Sequence, residues 1–501
     1  AHFWGEPVFG YYNSADEWVI RKQIEMLTMA GIDFIALDTS NGVLYKQVTD
    51  VLFPVMLEYK KAGWNVPKVM YYLASNDNDN TKYPSDLREV YNYFYATDTY
   101  KDLWFCPNGK PMITRHEVAS DEFLKTFDGG VYYDFFEFKT RQWPINDYKK
   151  DDGAAWMEFE YPQYLHGDWL SVSVAQHYSV RFSDTEGTHG RGYSEATGND
   201  HENYGKGLNY QEQWQTAFDY DEKGFNVKYA FITGWNEWVA IKSAAALGQN
   251  KQYLNGKKRV YFVDTVNREY SRDIEMMKGG YGDNVYLSLM RNARAYKGKT
   301  GTLPASGKTA IDISKGLTQW NAITDVYYDM AGEINRNYTN FSRSGNYVDN
   351  SLLNDIEEIR VTHDDDYLYF LVKCADDIKI NVEKDNWMNL LIDVEGQQNN
   401  KSFYGYDYIV NRKSSYSGNC SVEKLTYKNQ KLSYDASGVA KFSVSGRYMQ
   451  YKVSKKALGI TGSFRINFKI ADNVTDPADI SSYYITGEAA PVGRLNYIFK
   501  G

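Results

Sequence analysis

Phe231-Ile232-Thr233-Gly234-Trp235-Asn236-Glu237-Trp238 reads as the end of a buried strand that delivers a carboxylate into a ring of aromatics. Residues Tyr229 to Thr233 alternate and are β-prone, and Gly234 ends the run. Glu237 follows at once, between Asn236 and two tryptophans. Indole faces stack on the apolar faces of pyranose rings. A wall of low polarity also raises a carboxyl pKa towards that of a general acid. The phrase therefore predicts Glu237 as an acid/base or nucleophilic carboxylate, with Trp235, Asn236 and Trp238 holding a sugar. The plainer alternative is a loop glutamate capping a helix.

Working outward, the first 300 residues alternate strand-like and helix-like segments. Tyr11-Tyr12 end a first strand, and Ser14-Ala15-Asp16-Glu17 reads as a capping box. Ile20, Ile24 and Leu27 follow at helical spacing, with Gly31 as a stop. Ile32 to Leu37 make a second strand ending at Asp38, Val43 to Ala62 a long amphipathic helix, and Lys68 to Tyr72 a third strand. Pro84 suits the first turn of a helix running to Ala96. Further strands are predicted at Met112 to Thr114, Val131 to Tyr133, Ala155 to Phe159, Leu170 to Ala175 and Tyr229 to Thr233. Asn284 to Tyr296, with Val285, Leu289 and Ala293 on one face, is the closing helix.

Eight strands of this kind predict a (β/α)8 barrel over residues 1–300, whose chemistry sits on the loops after the strands. Those ends carry Asp38, Tyr72, His116, Asp134, Glu158, His177 and Glu237. From Lys297 to Lys308 the chain is a linker rich in Gly, Ser and Lys. Beyond it, short alternating strands such as Ile359-Arg-Val-Thr and Tyr367-Leu-Tyr-Phe-Leu-Val predict an antiparallel β-sandwich over residues 308–501.

Composition bounds the partners. A chain of 501 residues is too long for one core. Its net charge of −9 argues against nucleic acid and anionic membranes. The 45 Tyr, 24 Phe and 12 Trp fit either stacked carbohydrate ligands or a large β-rich core. Three cysteines, Cys106, Cys374 and Cys420, with no CxxC, give neither a disulfide framework nor a zinc site, and a pairing of Cys374 with Cys420, both in the C-terminal region, stays open. No apolar run is long enough for a membrane span. The chain opens on Ala1-His2-Phe3 without a signal peptide, as a mature or trimmed chain does.

Glycoside hydrolysis needs two carboxyl groups, about 5 Å apart for retention or about 6.5–9.5 Å apart for inversion. The candidates for the partner of Glu237 are Asp134, wrapped in Tyr132-Tyr133 and Phe135-Phe136, then Glu158 and Glu160 at strand period, and Asp38. For each, the alternative is a structural ion pair or a hydroxyl acceptor. His177, with Arg181 behind it, suits a sugar hydroxyl or acidic group; Arg141 and Trp143 extend the wall, and Tyr72 adds to it. The long polar stretch Ser183 to Gly207 reads as a lid or binding loop. His189, Arg191 and His201 within it match no metal spacing, so no metal and no cofactor are expected. Asp273 and Glu275, beside Arg272, read as structural ion pairs, and Asp364-Asp365-Asp366 as a solvated turn rather than a calcium site.

Over most of residues 1–300 the chain resembles the glycoside hydrolases related to families 71 and 99 and their lipopolysaccharide-associated relatives. The phrases that carry the resemblance are Pro7-Val8-Phe9-Gly10-Tyr11-Tyr12, Asp33-Phe34-Ile35-Ala36-Leu37-Asp38, Gly234-Trp235-Asn236-Glu237-Trp238, and Phe262-Val263-Asp264 leading to Ser271-Arg272-Asp273-Ile274-Glu275. Family 99 enzymes are retaining endo-α-mannosidases whose second catalytic carboxylate lies three residues after the glutamate of Asn-Glu-Trp. Here that position is Ala240, so the mannoside specificity is not carried over. Residues 308–501 resemble a family 9 carbohydrate-binding module through Trp320, Asn386-Trp387, Asp393, Asp472 and Gly493-Arg494-Leu495-Asn496-Tyr497, with Trp320 and Trp387 as sugar platforms or core residues. Together these imply a monomeric, secreted, periplasmic or cell-surface glycoside hydrolase acting on a polysaccharide or glycan. The rival is a glycan-binding barrel that has lost its chemistry.

Overall fold

The computed structural model resolves the chain into two units, Ala1–Thr300 and Gly301–Gly501. It describes all residues except 1, 74–81, 118, 145–148, 177–186, 241, 244–252, 255–256, 259–260, 263–266, 300, 302, 341–344 and 395–402.

In the first unit, parallel strands alternate with helices. Phe34–Asp38, Lys68–Tyr72, Met112–Arg115, Glu137–Gln142 and Gly153–Ala155 form a five-stranded sheet in chain order, with every neighbouring pair parallel. Trp169–Ser173 and Tyr229–Thr233 form a second parallel pair. The two groups share one core, in which Met70, Tyr72, Met112, Ala154, Ala155, Trp169 and Tyr229 pack with Phe34, Ala36, Trp156 and Phe231. Side chains tie the sheet edge to the pair. Trp169 Nε1 donates to the Ala155 carbonyl at 3.0 Å, and Thr233 Oγ1 donates to the Trp156 carbonyl.

Several expectations need correction. Asp16, not Ser14, caps the helix Glu17–Ala30, accepting from Trp18 N at 3.2 Å, because the short Asp side chain reaches the second helical N–H directly. Gly31 ends that helix at φ 74°. Tyr11-Tyr12 end no strand; instead His2–Phe3 pair antiparallel with Val239–Ala240. Val131 to Tyr133 belong to a short helix, Val131–Phe135, which starts after Gly129 and Gly130 turn the chain at positive φ. The strand that follows, Glu137–Gln142, is polar throughout its second half, so it carries no apolar alternation to read. The strand expected at Ala155 to Phe159 is Gly153–Ala155. Among the described residues the parallel strands group as five and two rather than as one ring of eight.

The second unit is antiparallel. Eleven strands form one connected sheet, from Val326–Tyr328 at one end to Glu488–Ala490 and Tyr497–Lys500 at the other. The sheet folds over a common core, so that Phe370 meets Phe468 edge-on at 5.4 Å. Trp387 lies in this core, 1% exposed, with Nε1 donating to the Lys379 carbonyl at 3.0 Å. Trp320, also 1% exposed, anchors a smaller cluster and donates to Gln450 Oε1 at 2.7 Å. Neither indole face is open to a sugar, so both are core residues. Cys374 and Cys420 are buried and unpaired, in separate strands. Asp364 closes a turn, accepting from the Asp366 and Tyr367 backbones at 2.8 and 2.7 Å. No described helix is long and apolar enough to cross a membrane.

Truncating a buried tryptophan removes a large apolar surface and leaves a cavity. Trp387→Ala is expected to destabilise the second unit by about 3–5 kcal/mol, read as a lower denaturant midpoint of its transition in the full chain; an unchanged midpoint would contradict the core assignment.

Candidate functional site

The segment Ser271 to Glu275 organises the region after the Tyr229–Thr233 strand. Its backbone laces onto the glycine-tryptophan turn: Gly234 N donates to the Arg272 carbonyl at 3.4 Å, and Glu275 N donates to the Trp235 carbonyl at 2.9 Å. Glu275 is fully buried, and its carboxylate collects four side-chain donors. Tyr12 Oη donates at 2.7 Å, Gln23 Nε2 at 3.1 Å, Asn236 Nδ2 at 2.8 Å and Trp238 Nε1 at 2.6 Å. Burial pushes the Glu275 carboxyl up while these donors pull it back. The Tyr12 hydroxyl is pushed well above its ordinary range by burial and by the Glu275 charge.

Two arginines complete the charge balance. Arg191 is fully buried and donates from Nη2 to Ser271 Oγ at 2.7 Å and to the Asp273 carbonyl at 2.5 Å. Its guanidinium lies 3.8 Å over the Tyr281 ring. Arg272 lies 4.4 Å over the Trp156 ring. Asp273 is buried, and the Glu237 backbone N–H donates to its carboxylate.

These groups border a cavity of about 880 Å³ that runs along the shared core and reaches the strand ends. At that end it is lined by Tyr12, Asp38, Tyr72, Trp156, Trp235, Asn236, Glu237, Arg272 and Asp273. Asp38 ends its strand exposed, with Ser40 N donating to it at 2.8 Å. Glu237 is exposed four residues past the Tyr229–Thr233 strand. Glu237 and Asp38 therefore reach one cavity from two different strand ends.

Of the other predicted residues, Tyr72 lines the cavity, but its hydroxyl is committed to the Ala154 carbonyl at 2.8 Å. Trp238 is buried outside the lining, stacked on Trp4 at 4.7 Å, with its N–H on Glu275. Asp134 is exposed on the short helix before the Glu137–Gln142 strand, so it lies at that strand's start rather than its end. Glu158 is buried between His166 Nε2, at 2.6 Å, and Lys149. Glu160 is exposed, 4.0 Å from the same lysine. Arg141 pairs with Glu117 and contacts His116 Nε2 at 2.6 Å, while Trp143 packs edge-on to Trp156. None of Asp134, Glu158, Arg141, Trp143 and Trp238 lines the cavity. His177 and Arg181 lie outside the described residues.

The long polar stretch is only partly described. Within it His189 stacks on Tyr193 at 3.5 Å and His201 meets Glu269 at 2.7 Å, so the two histidines serve separate partners. Among the described residues no group of three or more His, Cys, Asp or Glu is arranged to hold a metal ion.

Sequence reading missed Tyr12, Trp156, Arg272 and Asp273. The signal available for Asp273 was its phrase, Ser-Arg-Asp-Ile-Glu, whose density of charge was read as ion pairing. Its actual setting is apolar enough to push the Asp273 carboxyl up to about 7, chiefly through burial.

No protein-family model matches the chain. No curated protein matches it either. Two solved structures are similar to part of it. A family 9 carbohydrate-binding module from Caldicellulosiruptor kristjanssonii in complex with glucose is 14% identical, with a TM-score of 0.20, covering 39% of this chain and 92% of that one. The family 9 module from the same organism in complex with cellotriose is 14% identical, with a TM-score of 0.17, covering 34% of this chain and 74% of that one.

Removing one member of a buried ion pair strands the other charge, whereas an exposed side chain away from such features is nearly neutral. Glu158→Ala is thus expected to cost about 3–5 kcal/mol of stability and Asp134→Ala less than about 0.5 kcal/mol. Denaturant unfolding of the full chain compares them, and equal losses would contradict these placements.

Proposed function

We propose that the chain is a glycoside hydrolase, cleaving O-glycosidic bonds in a polysaccharide or glycan at the cavity bordered by Glu237. The observation that carries this reading is that Glu237 and further carboxyl groups, those of Asp38 from a second strand end and Asp273, line one cavity together with Trp156 and Trp235. Two carboxyl groups flanking a bond are the minimum equipment for this chemistry, and indole walls supply the stacking surface. Among the residues expected from sequence to partner Glu237, Asp38 is the one that lines the cavity. This arrangement also answers the Ala240 departure, because a second carboxyl need not come from the Asn-Glu-Trp phrase.

The resemblance to families 71 and 99 belongs to this proposal, as does a (β/α)8 barrel closed around the core that the five-stranded sheet and the two-stranded pair share. So do a carbohydrate-binding role for the second unit and a site of action outside the cytoplasm. With Trp320 and Trp387 committed to cores, such binding by the second unit would use other residues.

Glu237→Gln keeps the shape and removes the charge. It is expected to lower turnover about 10²–10⁴-fold, with folding and glycan affinity preserved. The assay is release of reducing ends from a panel of polysaccharides, paired with affinity electrophoresis on the same glycans. Near wild-type turnover by the variant would sink the assignment. Retardation of the wild-type protein without any release would favour the rival reading, a glycan-binding protein.

A further inference from the structure

Asp273 combines four features. It borders the cavity together with Glu237 and Asp38. It is 4% exposed. The Glu237 backbone N–H donates to its carboxylate, which fixes it beside the residue most central to the site. Its Oδ2 is buried and makes no hydrogen bond. An ionised carboxylate needs donors on both oxygens when water is excluded, and a proton is the usual remedy when one oxygen is unclaimed.

The surrounding charges do not supply that second donor to Oδ2. Arg191 places Nη2 on Ser271 Oγ and on the Asp273 backbone carbonyl, its plane lies on Tyr281, and its Nε and Nη1, buried without a hydrogen bond, act on the Asp273 carboxyl by charge alone. Arg272 lies on Trp156. Glu275, from the same segment, adds negative charge, and the hydroxyls of Tyr12 and Tyr281 also feel the Asp273 charge. Asp38, by contrast, sits exposed at its strand end, where water solvates its charge.

Resting on the hydrolase reading above, we propose that Asp273 is the acid/base residue of the cavity and works with Glu237 on the bond to be cleaved. The proton on Asp273 passes to the glycosidic oxygen as the bond from that oxygen to the anomeric carbon breaks, and the bonding pair stays on the oxygen. The Glu237 carboxylate stabilises the electron-poor anomeric carbon. A water oxygen then bonds to that carbon, and the proton the water loses restores the Asp273 acid. The sum is glycoside plus water giving two sugars, with the protein unchanged.

Burial pushes the Asp273 carboxyl up to about 7; donation from Glu237 and the attraction of Arg191 and Arg272 oppose the rise, and Glu275 adds to it. The acid form is therefore lost as pH rises through that value, and the rate falls with it.

The test uses the full chain and matched phenyl and dinitrophenyl glycosides of common hexoses and pentoses in both anomers. A phenyl leaving group needs the acid, whereas a dinitrophenyl group leaves unaided. The wild-type protein is expected to cleave both members of at least one pair, with the phenyl rate falling as pH rises through about 7. Asp273→Asn is expected to lose about 10²–10⁴-fold on the phenyl glycoside and less than about tenfold on the dinitrophenyl one, and to lose the alkaline fall. Glu237→Gln is expected to lose both activities. Independently of turnover, difference infrared spectra of the wild-type protein should contain a carboxylic C=O band that disappears across about pH 7 and is missing in Asp273→Asn.

If Asp273→Asn does not fold, the wild-type pH profiles decide: divergence between the two leaving groups supports the acid, and parallel profiles overturn it. Wild-type cleavage with an unaffected Asp273→Asn, or with equal losses on both substrates, overturns the acid role alone. If no pair is cleaved but the polysaccharide panel releases reducing ends, the infrared band decides the acid, and its absence overturns it; if the panel releases none either, the hydrolase reading is overturned and the acid role falls with it.

Discussion

The Glu275 carboxylate is the fixed point of the first unit. A carboxylate sealed from water is tolerated only when donors replace the lost hydration. Glu275 gathers them from parts of the chain far apart in sequence: Tyr12 near the start, Gln23 on the helix Glu17–Ala30, and Asn236 and Trp238 after the last parallel strand. Losing any one donor leaves a buried polar group short of a partner, at about 1–3 kcal/mol. The hub thus closes the N-terminal segment onto the turn that carries Glu237. With Asn236 and Trp238 both held, Glu237 between them has little freedom. Trp4 adds to this by donating to the Glu237 carbonyl at 2.8 Å.

The same segment that supplies the hub also supplies Asp273, two residues earlier. In an extended backbone, residues two apart project to the same side. Here the interval separates two fates: Glu275 is saturated with donors, while Asp273 borders the cavity with one oxygen unclaimed. A saturated carboxylate serves structure and an unsaturated one is available for chemistry, a distinction set by hydrogen-bond supply rather than by residue type.

Much of this was legible beforehand. The Tyr229–Thr233 strand and the Asn284–Tyr296 helix fall on the expected residues, because both carry strong periodicity and clean stops. Before residue 300 the strands are parallel and alternate with helices, and after it they are antiparallel. Glu137–Gln142 was not legible: its last four residues, Lys139, Thr140, Arg141 and Gln142, are buried, and burial of polar side chains leaves no hydrophobic signature. At the candidate site, Glu237 and Asp38 could be read from strand ends, but Glu158 could not be separated from them. Its partner His166 lies eight residues on and Lys149 nine residues back, and only the folded chain shows that they enclose it. For Asp273, the sequence shows the neighbouring Arg272 but not the burial or the unclaimed carboxylate oxygen, which arise only in the folded chain.

The proposed hydrolase binds and cuts glycan in the cavity bordered by the Glu275 hub. The most direct measurement is a crystal structure of the Glu237→Gln variant of this chain with an oligosaccharide chosen from the panel on which the wild-type protein is assayed. An uncleaved chain is expected to thread the cavity, with one ring against Trp156 or Trp235 and a glycosidic oxygen within hydrogen-bond reach of Asp273. An oligosaccharide bound elsewhere on the molecule, with this cavity left to solvent, would contradict it.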